Sequence, residues 1–238
     1  MLPQMPSKPR ICYLCGKPLT PPISSDHVPL RQLYAKSVRK KHSPNLLTIE
    51  VHAPCNASYQ HDEDYFANTL APLAFKSYAG AAYLSEVFAK YKAGEQQRLV
   101  GKVLTEFQPR PSGIILPEGL VAKRFEGERL SRVTWKIVRG LYFHETGEVL
   151  PEHAPHNVDI VPPDQPPPRE FLGALYDLPS KGRYPGVFDY KYVKVAELND
   201  FNYWGLLLWD RIIVIVAFHS PSCPCEHCVN LRSDVAAP

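Results

Sequence analysis

Cys12-Tyr13-Leu14-Cys15, Asp26-His27-Val28-Pro29 and His52-Ala53-Pro54-Cys55-Asn56 are the stretches on which a reading of this chain turns. Zinc takes four sulfur or nitrogen ligands at the corners of a tetrahedron, and a knuckle of the C-x2-C type delivers two of them from one tight turn. Cys12, Cys15, His52 and Cys55 supply two such half-sites, so the spacing predicts a structural Zn2+ that staples two distant segments together. Asp26 and His27 lie between the half-sites. An imidazole with a reference pKa of about 6.5 is partly neutral near physiological pH, which makes His27 a candidate general base. The side-chain oxygens of Asp26 and Asn56 are donors of the kind that hard Mg2+ or Mn2+ prefers.

The chain has 238 residues, 45% of them hydrophobic and 21% charged, enough to bury a core in one large domain or two small ones. Its charge is uneven. Residues 1–60 hold eight Lys and Arg against two acids, about +6, which leaves −3 for the remainder of a chain whose formal charge is +3. The positive potential is therefore concentrated around the two half-sites. The N-terminal residues show no basic start leading into an apolar core and a small-residue cleavage site, so no secretory signal is expected. Apolar runs such as Ile212 to Phe218 fall far short of the ~20 residues of a membrane span. The six cysteines form two local clusters, 12/15/55 and 223/225/228, which favours metal ligation in a reducing cytoplasm over a disulfide framework.

Along the chain, residues 1–10 are a proline-bearing leader and 11–56 the zinc module. Helices are expected from near Cys55 to Asn56 on through Ala57 to Phe75, then over Ala81 to Lys92, Glu95 to Phe107 and Ser131 to Phe143, with Gly94 as a break. Asp62, Glu63 and Asp64 suit the first turns of the earliest of these. Seven prolines between Pro151 and Pro168 exclude a regular helix or a central strand there. Val187 to Val195 alternates, and Tyr203 to Leu208 and Ile212 to Phe218 read as a hairpin turning at Trp209-Asp210-Arg211. The expected class is α+β: a zinc module over 1–78, then a helical segment and a β-rich end over 79–238.

The order Cys-x2-Cys-Gly, Asp-His-Val-Pro, Asn45-Leu46 and Cys55-Asn56, followed by an acidic run and the aromatic pair Tyr65-Phe66, resembles the zinc-bearing HNH endonucleases. The likeness covers roughly the first seventy residues. It implies a ββα-metal fold that cuts nucleic-acid phosphodiesters, in a bacterial or phage setting. It also implies that Asp26 and Asn56 bind the catalytic cation, that His27 activates water and that Asn45 orients His27. Two positions depart from the pattern. His52 stands where many relatives have Cys, and Asn56 stands where the name-giving last His would be. His61 lies about 140° round the helix from Asn56, and is read as structural or exposed.

Arg31, Lys36, Arg39, Lys40 and Lys41 fall in a connecting loop where they would neutralise phosphates of DNA, with RNA left open. Arg139, in the stretch Trp135 to Tyr142, is read as core packing, with a contact to a phosphate or an acid left open. His219, Cys223, Cys225, His227 and Cys228 are a second, crowded set of metal-type ligands near the C-terminus. The reading that follows is a divalent-dependent HNH endonuclease. Its rivals are a catalytically silent zinc module that binds nucleic acid or protein, and a structural component whose 187–218 hairpin forms an interface.

Overall fold

A computed structural model describes residues 10–42, 46–113, 115–118, 121–163, 165–182, 184, 186–195, 201–220, 223–224 and 228. It is a mixed α and β structure, as expected. Strand β1 (Ile23–Val28) pairs antiparallel with β2 (Leu47–His52), and between them runs helix α1 (Lys36–His42). The segment read as a basic loop is thus helical at its centre. In β2, Leu47, Ile49 and Val51 turn towards the core while Thr48 and Glu50 are exposed, the period-2 alternation of a half-buried strand.

The single helix expected over 57–75 is divided. Helix α2 (Ala53–Ala57) carries Cys55 and Asn56; it ends where the Ser58 hydroxyl donates to the Cys55 carbonyl at 2.8 Å. Helix α3 (Gln60–Leu70) follows with Asp62 and Glu63 in its first turn, and Pro72 converts the continuation into a 3-10 turn over Ala71–Ala74. Helix α4 (Tyr78–Lys92) starts at Ser77, whose hydroxyl accepts from the Gly80 amide at 3.0 Å. Gly94, at φ +83°, separates it from α5 (Gln97–Thr105). Two-residue strands β3 (Phe107–Gln108) and β4 (Ala122–Lys123) then pair.

Helix α6 (Gly127–Thr146) is longer at both ends than the expected 131–143 and stops at Gly147, φ +75°. Strand β5 (His156–Val161) falls inside the proline-dense stretch, in the window between Pro155 and Pro162, and lies at a sheet edge as proline tolerance requires. After α7 (Arg169–Leu175) come β6 (Phe188–Val195), β7 (Phe201–Leu208) and β8 (Ile212–His219), giving an antiparallel sheet in the order β5-β8-β7-β6. The β7–β8 turn, three residues between the paired Leu208 and Ile212, places Trp209 and Asp210 at φ +51° and +54°, in the left-handed region that lets the chain reverse so tightly. Trp209 is nonetheless fully buried, and its indole N–H donates to the Leu33 carbonyl at 2.9 Å, tying the sheet's turn to the segment after β1.

Helix α6 is buried nearly all round because it lies between two layers. One side faces the sheet: Trp135 stacks on His156 at 4.2 Å and meets Phe218 edge-on at 5.1 Å. The other side faces β1 and the first cysteine knuckle through Lys136, Arg139 and Gly140, which at i, i+3 and i+4 share one face. A continuous buried cluster therefore runs from Cys12 through α3 and α6 to Phe218, across position 78.

Gly140 is where the helix approaches most closely. A Cβ there would lie 2.7 Å from Val28 Cγ2 and 3.2 Å from the Tyr13 ring. Gly140→Val is expected to destabilise the protein by about 2 kcal/mol through overpacking, more than the gain in helix propensity returns. Urea unfolding checks this, and a midpoint equal to or above that of the parent would contradict it.

Candidate metal centre and buried charge cage

The turn Cys12 to Cys15, closed by the Gly16 amide donating to the Cys12 carbonyl at 2.8 Å, faces the end of β2 and the start of α2. His52 is the last residue of β2 and Cys55 lies in the first turn of α2, so a strand-to-helix corner presents the second pair of ligands. The ligand atoms of Cys12, Cys15, His52 and Cys55 all lie within 4.8 Å of one another. A zinc tetrahedron with bonds of about 2.0–2.3 Å has edges of roughly 3.5 Å, so the four donors fit and could hold a metal ion such as zinc.

His52 presents Nδ1 to the thiols, 3.3 Å from Cys15 Sγ and 4.0 Å from Cys55 Sγ. A ligating Nδ1 leaves the proton on Nε2, which then donates to the Pro18 carbonyl at 3.1 Å and fixes the ring. The Thr20 amide is equally close at 3.1 Å and would suit only the other tautomer, whose Nδ1 cannot ligate. For Cys12, burial acts to raise the thiol pKa, but hydrogen bonds from the His52, Cys15 and Leu14 backbone outweigh it and hold it low. Cys55 goes the other way, pushed up to about 12 by burial and by the neighbouring thiols. Thiols this close resist ionising together, and a dication at their centre is what relieves the repulsion.

Asp26 and His27 are adjacent on β1 and take opposite faces. Asp26 points inward and is 4% exposed; His27 is half-buried on the other side. Asp26 does meet Asn56, as the sequence suggested, but what they meet on is Lys136. The Lys136 ammonium, on a residue 1% exposed, donates to Asp26 Oδ1 at 2.7 Å, to Asn56 Oδ1 at 3.2 Å and to Glu63 Oε1. Its three N–H bonds are thereby all used. The cage closes with the Tyr13 hydroxyl donating to Asp26 Oδ2 and the Gln32 amide donating to Glu63 Oε2 at 3.2 Å. Burial, and then the Asp26 charge, push the Tyr13 phenol well above its usual range, so it remains a donor.

Glu63, Lys136 and Tyr13 were not singled out as site residues from sequence. Asp62, Glu63 and Asp64 look alike as helix-start acids, yet Asp62 pairs outward with Arg129 and Arg132 at 2.6 and 2.5 Å while Glu63 turns in. Burial opposes ionisation of Asp62, but those guanidinium bonds prevail and lower its pKa. The signal that was available for Lys136 is a lysine inside the apolar run Trp135 to Val138. Arg139 packs in the core, as read from sequence, at 1% exposed, and the partners it finds there are backbone carbonyls and not an acid. Its guanidinium donates to the Leu14 and Tyr13 carbonyls at 2.7 and 3.1 Å and to the Leu150 carbonyl at 2.8 Å, clamping the first knuckle onto α6.

Among the described residues nothing hydrogen-bonds the His27 ring, and Asn45, expected to orient it, lies outside the described residues. Burial, then the Arg31 charge, lower the His27 pKa, so the ring is neutral at pH 7. Arg31, Lys36 and Lys40 are exposed and Arg39 is half-buried; the side chain of Lys41 lies outside the described residues. Arg31, Lys36, Arg39 and Lys90 border a groove of about 240 Å³, which Asp64 and Glu86 also line. His61 is exposed, as read from sequence. Among the described residues no helix is long and apolar enough to cross a membrane. No family model matches the chain, and neither a curated protein nor a solved structure matches it.

Removing the ammonium would leave two buried carboxylates facing each other. Lys136→Met is expected to cost about 3–5 kcal/mol. Millimolar Mn2+ should then raise the melting temperature of this variant more than that of the parent, because in the parent the ion must first displace the ammonium from the oxygen cage. An equal rise in both proteins would place the cation elsewhere.

Proposed function

We propose that the N-terminal part of this chain is an HNH-type ββα-metal module acting on nucleic-acid phosphodiesters, with DNA the first substrate to test. The observation that carries this reading is the convergence of Asp26 and Asn56 on one cation seat, beside the four-ligand cluster and with His27 on the next residue of the same strand. Zn2+ in that cluster would hold the strand-to-helix corner, and so the spacing of Asp26 and Asn56. The oxygens of Asp26, Asn56 and Glu63 have the donor chemistry of a Mg2+ or Mn2+ site, and the Lys136 ammonium stands in for the ion. A divalent ion, when bound, supplies charge neutralisation of the phosphate and stabilisation of the leaving oxygen.

The chain's own residues supply the rest. His27, neutral at pH 7 and with both ring nitrogens without a protein partner among the described residues, accepts the proton of the attacking water. Arg31 next to it, with Lys36, Arg39 and Lys40 on α1, neutralises flanking phosphates and gives affinity without base choice.

One observation favours a second reading. An ammonium that already satisfies the cage is what a module retired from catalysis, binding nucleic acid through its zinc-stapled surface, would carry.

Plasmid cleavage with Mg2+, Mn2+ or EDTA separates the two. Divalent-dependent nicking that falls by about 10²–10⁴ in His27→Ala, with binding retained, is the expected result. Binding with no cleavage by any cation would favour the silent module. Replacing Arg39, Lys40 and Lys41 together by Ala should weaken binding equally on unrelated sequences and flatten the slope of log affinity against log salt by up to ~0.9 per lost contact. An unchanged slope would show that the nucleic acid runs elsewhere.

A further inference from the structure

A second group of metal-type ligands lies at the other end of the chain, far from the nuclease-like residues in sequence. His219 is the last residue of β8, and the chain turns back directly after it, with the Cys223 amide donating to the Ser220 carbonyl at 2.9 Å. This turn brings Cys223 Sγ to 3.3 Å from His219 Nδ1. Cys228 comes to the same point, and the ligand atoms of the three residues all lie within 4.8 Å of one another, the same spacing as in the first cluster. The two cysteines are 0% and 6% exposed. The His219 ring is held edge-on to Phe201 across the sheet at 5.0 Å, which limits its rotamers.

The bland account is that two buried cysteines pack as small hydrophobes. It covers the thiols but not the imidazole that shares their space. Two sulfurs and an aromatic nitrogen converging on one point form a borderline-soft donor set, the chemistry of Zn2+ and not of Mg2+ or Ca2+. Sequence spacing alone weighed against such a site, because Cys223-Pro224-Cys225 is a poor tetrahedral knuckle. The fold resolves that objection by pairing Cys223 with Cys228, five residues on, and by drawing the third donor from the strand end.

We propose that His219, Cys223 and Cys228 form a second Zn2+ site that pins the segment after β8 to the end of a central strand. Cys225 and His227 stand between the two thiols in sequence and lie outside the described residues. The site is independent of the nuclease reading and of the first cluster.

Elemental analysis of freshly purified full chain, with no zinc added, tests the proposal. The expected content is two zinc ions per chain, falling to one in Cys223→Ser/Cys228→Ser and to one in Cys12→Ser/Cys55→Ser. If the parent holds a single ion that the C-terminal pair removes and the N-terminal pair does not, the second site stands and the first fails. The proposal is overturned if the C-terminal double variant keeps the parent's zinc content. Should that variant misfold, His219→Ala provides the second reading: in Co2+-exchanged protein it should lose half of the tetrahedral visible absorption while the circular dichroism of the chain is kept, and retention of the full absorption overturns the proposal.

Discussion

The buried ammonium of Lys136 is the interaction on which the rest of the structure depends. Two carboxylates and one ammonium have been taken out of water at one point, and the desolvation each suffers is repaid only if every hydrogen bond is made. Asp26 comes from β1, Asn56 from α2, Glu63 from α3 and Lys136 from α6, so satisfying one ammonium sets the relative position of four elements. A hydrophobic contact can slide by an ångström at modest cost, whereas an ammonium with three fixed acceptors cannot. The neighbouring positions on the same face of α6 follow from that register. Arg139 reaches the carbonyls of the first knuckle, and at Gly140 the absent side chain lets β1 approach.

This arrangement joins the candidate metal centre to the sheet. The knuckle carrying Cys12 and Cys15 is held on one side of α6 by Arg139, and the other side of the helix packs through Trp135 and Tyr142 on Phe218. Trp209 makes the same connection at a second point, since its indole N–H reaches back to Leu33 from the β7–β8 turn. The four ligands of the first cluster are thus supported by residues more than a hundred positions away.

The cage also frames the functional question as one of charge. Asp26, Asn56 and Glu63 present oxygens to a single positive centre, the requirement of a hard cation, and the chain supplies that centre itself. His27, on the opposite face of β1 and made less basic by burial and by Arg31, is set apart from the cage and has no hydrogen-bond partner among the described residues. The carboxylate that holds the fold and the proposed general base are therefore adjacent in sequence and separated in space by the pleat of a strand.

Much of this was legible in the chain. The first cluster was readable because each half-site is a local turn, and the β7–β8 hairpin because its alternation and turn are local as well. Helix ends and breaks were less so: 57–75 was read as one helix, and the division at Ser58 depends on a side-chain bond to the Cys55 carbonyl. The proline-dense stretch excluded a central strand, and only the sheet showed that the window between Pro155 and Pro162 serves as an edge. What sequence alone determined, then, were the ligand pairs, the Asp26-His27 dipeptide and the polarity of each segment, all properties of residues within a few positions of one another. What only the tertiary structure decided was the choice among equivalents: Glu63 rather than Asp62 or Asp64 for the cage, and Lys136 as the cation that Asp26 meets. Those choices join residues up to 110 positions apart, and the energy that selects them comes from pairing charges away from water, which exists only once the elements have packed.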